Sequence, residues 1–238
     1  MKIVKLLNRL INPMGAQLCR FPDRNIKRRI KLINHHKINK ILDIGASIGL
    51  YAIEMRKLNF KGKIFSFEPL DHSFKVLARN SKNDQNWEAY NYALGDENKD
   101  TVINISKNSD SSSILNILPR HIEGAPSSKY IAKQKIKVYT LDSIFQNIYN
   151  EGDNIYAKID TQGFEQHVLN GSKNSLKNIK GLQIEMSLKP LYENSILYLD
   201  MIENMKRNNF ELVSLENGFS DYTTGELLQV DGVFFKKD

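Results

Sequence analysis

The segment Ile41–Met55, ILDIGASIGLYAIEM, limits what this chain can fold into more than any other stretch of the sequence. An apolar run typical of a buried strand leads into an Asp-x-Gly turn, and a segment with helical spacing of apolar residues follows. A strand, a glycine turn and a helix in this order form a unit that binds nucleotide-like cofactors at the helix N-terminus. The segment therefore predicts an α/β domain with a cofactor site at this turn.

The residues within the turn indicate which cofactor binds there. Ser47 stands between Gly45 and Gly49, where a dinucleotide-binding fingerprint has its second glycine. That glycine normally lets the backbone approach a pyrophosphate, so a serine side chain argues against a dinucleotide. S-adenosyl-L-methionine (SAM) has no pyrophosphate, and we predict it as the cofactor. The chain also lacks a Tyr-x-x-x-Lys pair, which disfavours the alternative of a nicotinamide-dependent oxidoreductase.

A carboxylate in the next strand supports a cofactor that contains ribose. Glu68 follows the apolar run Ile64–Phe67 and lies 25 positions after Asp43. An acid at about this distance from the turn is the expected partner of ribose hydroxyls, since one carboxylate can accept two hydrogen bonds from a diol. The alternative is an ordinary strand-end residue that faces water.

Alternating strand and helix patterns predict βαβ units in a body of residues 38–238, with an insertion at about residues 95–140. The predicted strands are Lys40–Gly45, Lys63–Glu68, Trp87–Leu94, Thr101–Ser106, Ile136–Leu141, Ile155–Asp160, Leu182–Met186, Phe210–Leu215 and Gly232–Lys236, and the predicted helices are Ile48–Lys57, His72–Asn80, Phe164–Leu169 and Ile196–Asn208.

Residues 1–37 form a basic N-terminal arm. Residues 1–40 hold eleven Lys or Arg and one acid, which gives this segment a net charge of +10. The rest of the chain has a net charge of −3, so the formal net charge of the whole chain is +7. Apolar residues at helical spacing within residues 3–11 predict an amphipathic helix. Such a helix suits peripheral contact with an anionic membrane, packing on the body, or self-association. A non-catalytic module that binds membranes or polyanions through this arm is a further alternative.

Cysteine usage and hydropathy indicate the compartment. Cys19 is the single cysteine, so no internal disulfide can form and a reducing compartment is expected. No apolar run approaches the ~18 residues of a membrane span. The prediction is a cytoplasmic protein, with a peripheral position at the inner membrane surface as an open alternative.

Several segments occur together in a fixed order: DIGASIG, FEPL, NYALGD, TLDSI, KIDTQGFEQHVLNG and IEMS. In this order they resemble the FkbM-type SAM-dependent methyltransferases. The resemblance implies a Rossmann-like class I methyltransferase fold, with a mostly parallel seven-stranded sheet, its last strand antiparallel, and helices on both faces. It also implies O-methylation of a hydroxyl on a glycan or another small molecule, as in polysaccharide biosynthesis.

The resemblance further implies roles in cofactor binding. Asp43, Gly45 and Gly49 match the positions that hold the methionine end of SAM, while Asn91 and Ala93 match the contacts to the adenine edge.

Three further residues complete this set. Glu68 matches the ribose-binding acid, and Asp160 ends a strand beside the transferable methyl group. Ser47 departs from the asparagine usual in the family. Because serine is shorter, a hydrogen bond near the cofactor is either lost or bridged by water.

The acceptor hydroxyl needs a group that orients it and accepts its proton. Asp160 is the first candidate, and Glu185 on the neighbouring strand could raise its pKa as a like charge. His167 is a second candidate base, although a histidine within a helix is more often structural, and Asp160 could instead cap a helix. Asp160 and Glu185 lack an obvious third ligand, so no metal is predicted. No nucleic-acid partner is expected, because the basic charge is confined to one end.

Overall fold

The computed structural model of the protein describes Leu7, residues 12–15 and residues 22–237. The chain divides into two compact units, Met1–His36 and Lys37–Asp238. Among the described residues, no helix is both long and apolar enough to cross a membrane.

The first unit contains a 3-10 turn at Asn12–Met14 and helix α1, which spans Arg24–His35. Asp23 begins this helix, because its carboxylate accepts a hydrogen bond from the backbone N–H of Ile26 at 2.9 Å. Apart from Leu7, the amphipathic helix predicted within residues 3–11 lies outside the described residues.

The second unit holds two sheets and the remaining described helices. The strands are β1 Lys40–Ile44, β2 Lys63–Phe67, β3 Trp87–Tyr90, β4 Ala93–Leu94, β5 Lys99–Ser106, β6 Tyr130–Tyr139, β7 Ile155–Ile159, β8 Ile179–Ser187, β9 Phe210–Asn217 and β10 Gln229–Lys236. The helices are α2 Leu50–Lys57, α3 Asp71–Ser81, α4 Pro119–Gly124, α5 Leu141–Ile144, α6 Glu165–Asn170 and α7 Tyr198–Arg207, with 3-10 turns at Pro126–Ser128, Phe145–Asn147 and Ser175–Asn178.

The larger sheet has seven strands in the order β3-β2-β1-β7-β8-β10-β9. Strand β10 pairs antiparallel with both β8 and β9, and the other pairings in this sheet are parallel. The strand order reverses between β1 and β7, which is where open α/β sheets bind their ligands. The predicted α/β fold, a mostly parallel seven-stranded sheet whose last strand is antiparallel, is confirmed.

The register of the central strands sets up the site. All five residues of β1 are buried, as expected for a parallel strand inside the sheet. Ile44, the last residue of β1, lies opposite Phe67 of β2 and Ile159 of β7. The residues that follow these three strands therefore emerge at the same edge of the sheet.

The insertion forms a separate three-stranded sheet in the order β4-β6-β5. The prediction of one strand over Trp87–Leu94 was wrong, because the chain bends at Asn91 and splits this segment between the two sheets. Asn91 Nδ2 donates to the carbonyls of Glu68 and Pro69 at 3.1 and 3.2 Å, which fixes the bend. Strand β6 also begins earlier than the predicted Ile136–Leu141, since its largely exposed first half pairs with β5.

Helix α6 packs against the start of the insertion through His167, and Gly171 at its end does the same. His167 Nδ1 lies 2.6 Å from Asp96 Oδ2, and the imidazole stacks on Phe164 with ring centroids 4.1 Å apart. Burial raises the pKa of Asp96, but the hydrogen bond and charge of His167 outweigh it and lower that pKa. At the end of the helix, a Cβ on Gly171 would lie 1.8 Å from the carbonyl oxygen of Gly95.

We expect Gly171→Ala to destabilise the protein by about 3 kcal/mol, since the backbone at Gly95 must move to admit the methyl group. Gly152→Ala is the control, because its Cβ would meet no atom within 4 Å and only its φ of +88° is unfavourable. That control should cost about 1 kcal/mol. Urea unfolding measures both values. An equal loss of stability in the two variants would mean that Gly171 is not in tight contact with the insertion.

Candidate active site

The glycine turn after β1 lies directly against the end of β7. Gly45 has φ +79°, and a Cβ there would stand 1.8 Å from the carbonyl oxygen of Asp160. Gly49, at φ +86°, begins α2 beneath the side chains of Leu77 and Trp87, both 2.7 Å from a Cβ placed there. Both positions therefore need glycine for its left-handed backbone and for its missing side chain.

Ser47 connects this turn to two acids. Its backbone N–H donates to Glu68 Oε2 at 2.8 Å, and its hydroxyl donates to Asp110 Oδ1 at 3.1 Å. The short serine side chain thus bonds to the loop of the insertion. Glu68 Oε1 also accepts from the backbone N–H of Leu70 at 2.8 Å. Burial raises the pKa of Glu68 to about 7, although these two hydrogen bonds oppose the shift.

A cavity of about 370 Å³ opens at this edge of the sheet, at the carboxyl ends of β1, β2 and β7. Its floor is apolar, with Phe67, Leu70 and Leu94, and the serine-rich loop of the insertion forms part of its wall. Six of the predicted site residues line the cavity: Gly45, Ser47, Glu68, Ala93, Asp160 and Glu185.

The other four predicted site residues do not line the cavity. Asp43 is fully buried, and Asn91 holds the bend between β3 and β4. Gly49 supports the start of α2, and His167 bonds to Asp96 on the side of the insertion. The structure therefore does not bring His167, the second candidate base, to the cavity.

Lys158 supplies the positive charge of the cavity wall. Its Nζ lies 3.1 Å from Asp160 Oδ2 and 3.9 Å from Asp43 Oδ1. Burial disfavours the ammonium, but Asp160 and Asp43 outweigh burial and raise the pKa of Lys158. Burial likewise raises the pKa of Asp43, whose Oδ1 has no hydrogen bond within the described chain.

Gln162 joins Asp160 and Glu185 at the cavity wall, and sequence reasoning did not single it out. Its Nε2 donates to Asp160 Oδ1 at 2.9 Å and to Glu185 Oε2 at 2.8 Å. Tyr192, a fully buried residue beyond β8, donates its hydroxyl to Gln162 Oε1 at 2.7 Å. The only signal in the sequence was the position of Gln162 within KIDTQGFE.

Glu165 shapes the same turn from the first residue of α6. Its Oε1 accepts the backbone N–H groups of Thr161 and Gly163 at 2.9 and 3.1 Å. Burial raises the pKa of this carboxyl to about 7. Burial first, and then the nearby carboxylates, hold the pKa of Glu185 well above its ordinary value. Within the described residues, no group of three or more His, Cys, Asp or Glu could hold a metal ion.

Comparison with protein families identifies the chain. A model described as the Methyltransferase FkbM domain matches residues 43–212. The chain belongs to this family. It is a methyltransferase that uses SAM as its cofactor, which confirms the cofactor predicted from the glycine turn and rejects the alternative of a nicotinamide-dependent oxidoreductase. A comparison with curated proteins found no match.

Solved structures show the same fold at low sequence identity. TehB from Haemophilus influenzae is 12% identical, with a TM-score of 0.50, over 97% of this chain and 66% of that one. A proposed S-adenosylmethionine dependent methyltransferase from Listeria monocytogenes is 9% identical, with a TM-score of 0.50, over 90% of this chain and 98% of that one. At such identities the likeness shows the fold alone.

The residues around the cavity suit SAM. Glu68 keeps unused lone pairs beside its two hydrogen bonds, so it can accept further bonds from a diol. The apolar floor suits an adenine ring, and the only lysine of the lining is already paired with carboxylates. An excess of carboxylates over free cations favours a ligand with a sulfonium charge.

The pairing of Lys158 gives a pH-dependent prediction. Lys158→Met should destabilise the protein by about 3–5 kcal/mol at neutral pH, because it leaves the buried carboxyl of Asp43 without its nearby cation. Burial already raises the pKa of Asp43, and without the ammonium this folded-state pKa rises further. The deficit should therefore be smallest at acid pH, near pH 4, and should grow as the pH rises. Urea unfolding at several pH values measures it.

Lys57→Met is the matched control, because Lys57 is exposed on α2. Its effect should be small at every pH. A Lys158→Met deficit that does not change with pH would show that the side chain contributes packing rather than charge.

Proposed function

We propose that this methyltransferase transfers the methyl group to a hydroxyl of a carbohydrate or a related small molecule. The observation that carries the proposal is the pair of carboxyls, Asp160 and Glu185, joined by Gln162 at the cavity wall beside the glycine turn. Paired carboxyls are suited to accepting hydrogen bonds from hydroxyl groups. The resemblance to the FkbM-type enzymes supports the same assignment.

Glu68 and Ala93 are proposed to contact the cofactor directly, since both line the cavity. Glu68 would accept hydrogen bonds from the ribose hydroxyls, and Ala93 would lie against the adenine. Asp43, Gly49 and Asn91 would act indirectly, by fixing the strand end, the helix start and the bend around the site.

Bound SAM would supply a methyl group carried on a positively charged sulfur, so that in-line attack by the acceptor oxygen on the methyl carbon breaks the carbon–sulfur bond and leaves S-adenosylhomocysteine. Asp160 would orient the acceptor hydroxyl and accept its proton as the new O–C bond forms. The Lys158 ammonium, 3.1 Å from Asp160 Oδ2, balances the charge of that carboxylate. Burial raises the pKa of Glu185, which favours its protonated form, and the carboxyl would hydrogen-bond a neighbouring oxygen of the acceptor.

The charges of the cavity favour an uncharged acceptor. Its charged lining residues are Glu68, Asp110, Lys158, Asp160 and Glu185, so acids outnumber the one paired lysine. A phosphate or carboxylate on the acceptor would lose its water without gaining an unpaired cation, which is costly. This argument supports neutral sugars and disfavours nucleic acid as the acceptor.

The arm has no assigned role. Peripheral membrane contact or self-association through residues 1–37 stays a prediction, as does the cytoplasmic location inferred from the single cysteine. The division into an arm of residues 1–37 and a catalytic domain of residues 38–238 also stays a prediction in functional terms.

The raised pKa of Glu68 predicts how cofactor affinity depends on pH. Below pH 7 the carboxyl is largely protonated, so ligand binding must first remove a proton. Affinity for S-adenosylhomocysteine should therefore rise by about tenfold between pH 6 and pH 8. Titration calorimetry measures it. Glu68→Gln should weaken binding by about 10- to 100-fold at pH 8 and should flatten the pH dependence.

Glu165 titrates in the same range but is unchanged in this variant, so the difference between the two proteins isolates Glu68. If the affinity of Glu68→Gln for S-adenosylhomocysteine depended on pH as steeply as that of the wild type, Glu68 would not be the group that binds the ribose.

A screen of neutral sugars, acidic sugars and phosphorylated sugars with isotope-labelled SAM tests the acceptor class. Methylation of neutral sugars is expected. With the best acceptor, Asp160→Asn should keep cofactor affinity and lower kcat by about 10²-fold, the lower part of the range for a lost general base. His167→Ala should retain near-wild-type kcat, since His167 lies away from the cavity. Preferred methylation of acidic sugars would contradict the proposal, and so would wild-type turnover in Asp160→Asn.

A further inference from the structure

Gln162 has a backbone conformation that few residues other than glycine adopt. Its φ is +56°, in the left-handed region, and it is followed by Gly163 at φ +93°. A long side chain in this region persists only when its contacts determine the conformation, and such residues cluster at functional sites. The contacts of the amide group therefore indicate why the chain places a glutamine here.

The amide makes three hydrogen bonds that fix its orientation. Nε2 uses its two hydrogens on Asp160 Oδ1 and Glu185 Oε2, while Oε1 accepts the hydroxyl of Tyr192. The reversed amide would place a carbonyl oxygen against two carboxyl oxygens and an N–H against a hydroxyl hydrogen. This arrangement therefore has a single favourable orientation.

Tyr192 is fully buried, and it contacts the cavity lining through Gln162 rather than lining the cavity itself. It forms an isolated bridge with Ile117, and its hydroxyl also lies 3.3 Å from the carbonyl oxygen of Ser111. A phenol has one hydrogen, so the shorter contact to Gln162, at 2.7 Å, takes it. The loop after β8 and the serine-rich loop of the insertion thus meet at the residue that orients the amide.

Glu185 receives one of its two hydrogen bonds from this bridge. Its Oε2 accepts from Gln162 and from Gln229 Nε2 of β10 at 2.7 Å, while Oε1 has no hydrogen bond within the described chain. Glu185 lines the cavity, so it can bond an acceptor there. The charged groups that act on it come from β7, α6 and β10: Lys158, Asp160, Glu165 and Asp231.

We infer that Gln162 is a positioning residue of the acceptor site, whose amide holds the carboxyls of Asp160 and Glu185 side by side, and that Tyr192 fixes the orientation of this amide. A neutral donor links the two acids without adding a charge between them. This inference rests on the proposed role of the two carboxyls, but it is a statement about protein groups and can be tested without an acceptor.

The test follows the Glu185 carboxyl by infrared spectroscopy over a pH series from about 4 to 9. The difference between the wild type and Glu185→Gln assigns the carboxylic-acid C=O band and its titration midpoint. The amide is then removed with Gln162→Met, which has a similar length and no donors, and its anchor with Tyr192→Phe. Tyr130→Phe is the matched control, because the Tyr130 hydroxyl donates to the carbonyl of Leu115 and not to Gln162.

In Gln162→Met, the loss of a donor should move the C=O band to higher frequency and raise the midpoint by about half a pH unit or more. Tyr192→Phe should cause a smaller change in the same direction, and Tyr130→Phe should cause none. Affinity for S-adenosylhomocysteine, measured by calorimetry, should stay within about threefold of the wild type in all three, because the bridge lies on the acceptor side.

An unchanged band and midpoint in both Gln162→Met and Tyr192→Phe would overturn the inference. A tenfold or greater loss of S-adenosylhomocysteine affinity in Gln162→Met would also overturn it, by making Gln162 a cofactor contact. If Gln162→Met does not fold, Tyr192→Phe decides alone, since it removes one oxygen atom. A band shift in a protein that methylates no sugar would leave the positioning role intact and reject only the proposed acceptor class.

Discussion

The close approach of the glycine turn to the end of β7 determines where the rest of the site lies. The carbonyl of Asp160 occupies the space that a Cβ on residue 45 would need. This contact brings the loop after β1, which lines the cavity through Gly45 and Ser47, next to the loop after β7, which lines it through Asp160 and Gln162. The parallel register of β1 with β2 and β7 then adds Glu68 at the same edge. In the proposed reaction the methyl carbon and the acceptor hydroxyl must come within about 3 Å of each other, and this edge has a cavity where both could lie.

Charge is the second constraint on the site, because several carboxyls lie close together where burial shields them from solvent. The chain balances them in two different ways. Lys158 places one ammonium between Asp43 and Asp160, and Gln162 places a neutral amide between Asp160 and Glu185. Burial and neighbouring charges keep the pKa of Glu185 high. Two nearby carboxyls in such unlike environments can take different roles, one accepting and one donating a hydrogen bond.

Membership of the FkbM family fixes the reaction class and the cofactor, while the site residues bear on the acceptor. The lining combines an apolar floor with acids and a single lysine that is already paired. An anionic acceptor would be poorly solvated there, whereas hydroxyl groups would find acceptors and a donor. The same electrostatic argument accounts for the fit of a positively charged methyl donor. One distribution of acids therefore supports both the proposed uncharged acceptor and the positively charged cofactor.

The sequence by itself determined the fold class, the glycine turn and the acids at the strand ends, because hydrophobic periodicity and glycine spacing are local signals. Most strands and helices were predicted to within a few residues. The bend at Asn91 was missed, since the split of Trp87–Leu94 depends on which strand each half pairs with. Only the tertiary structure separated His167 from the cavity and joined Gln162 to Tyr192, which lie 30 positions apart. Side-chain contacts between distant segments depend on packing and on strand register. Packing and register produce no repeating pattern in the sequence, so these contacts could not be predicted from it.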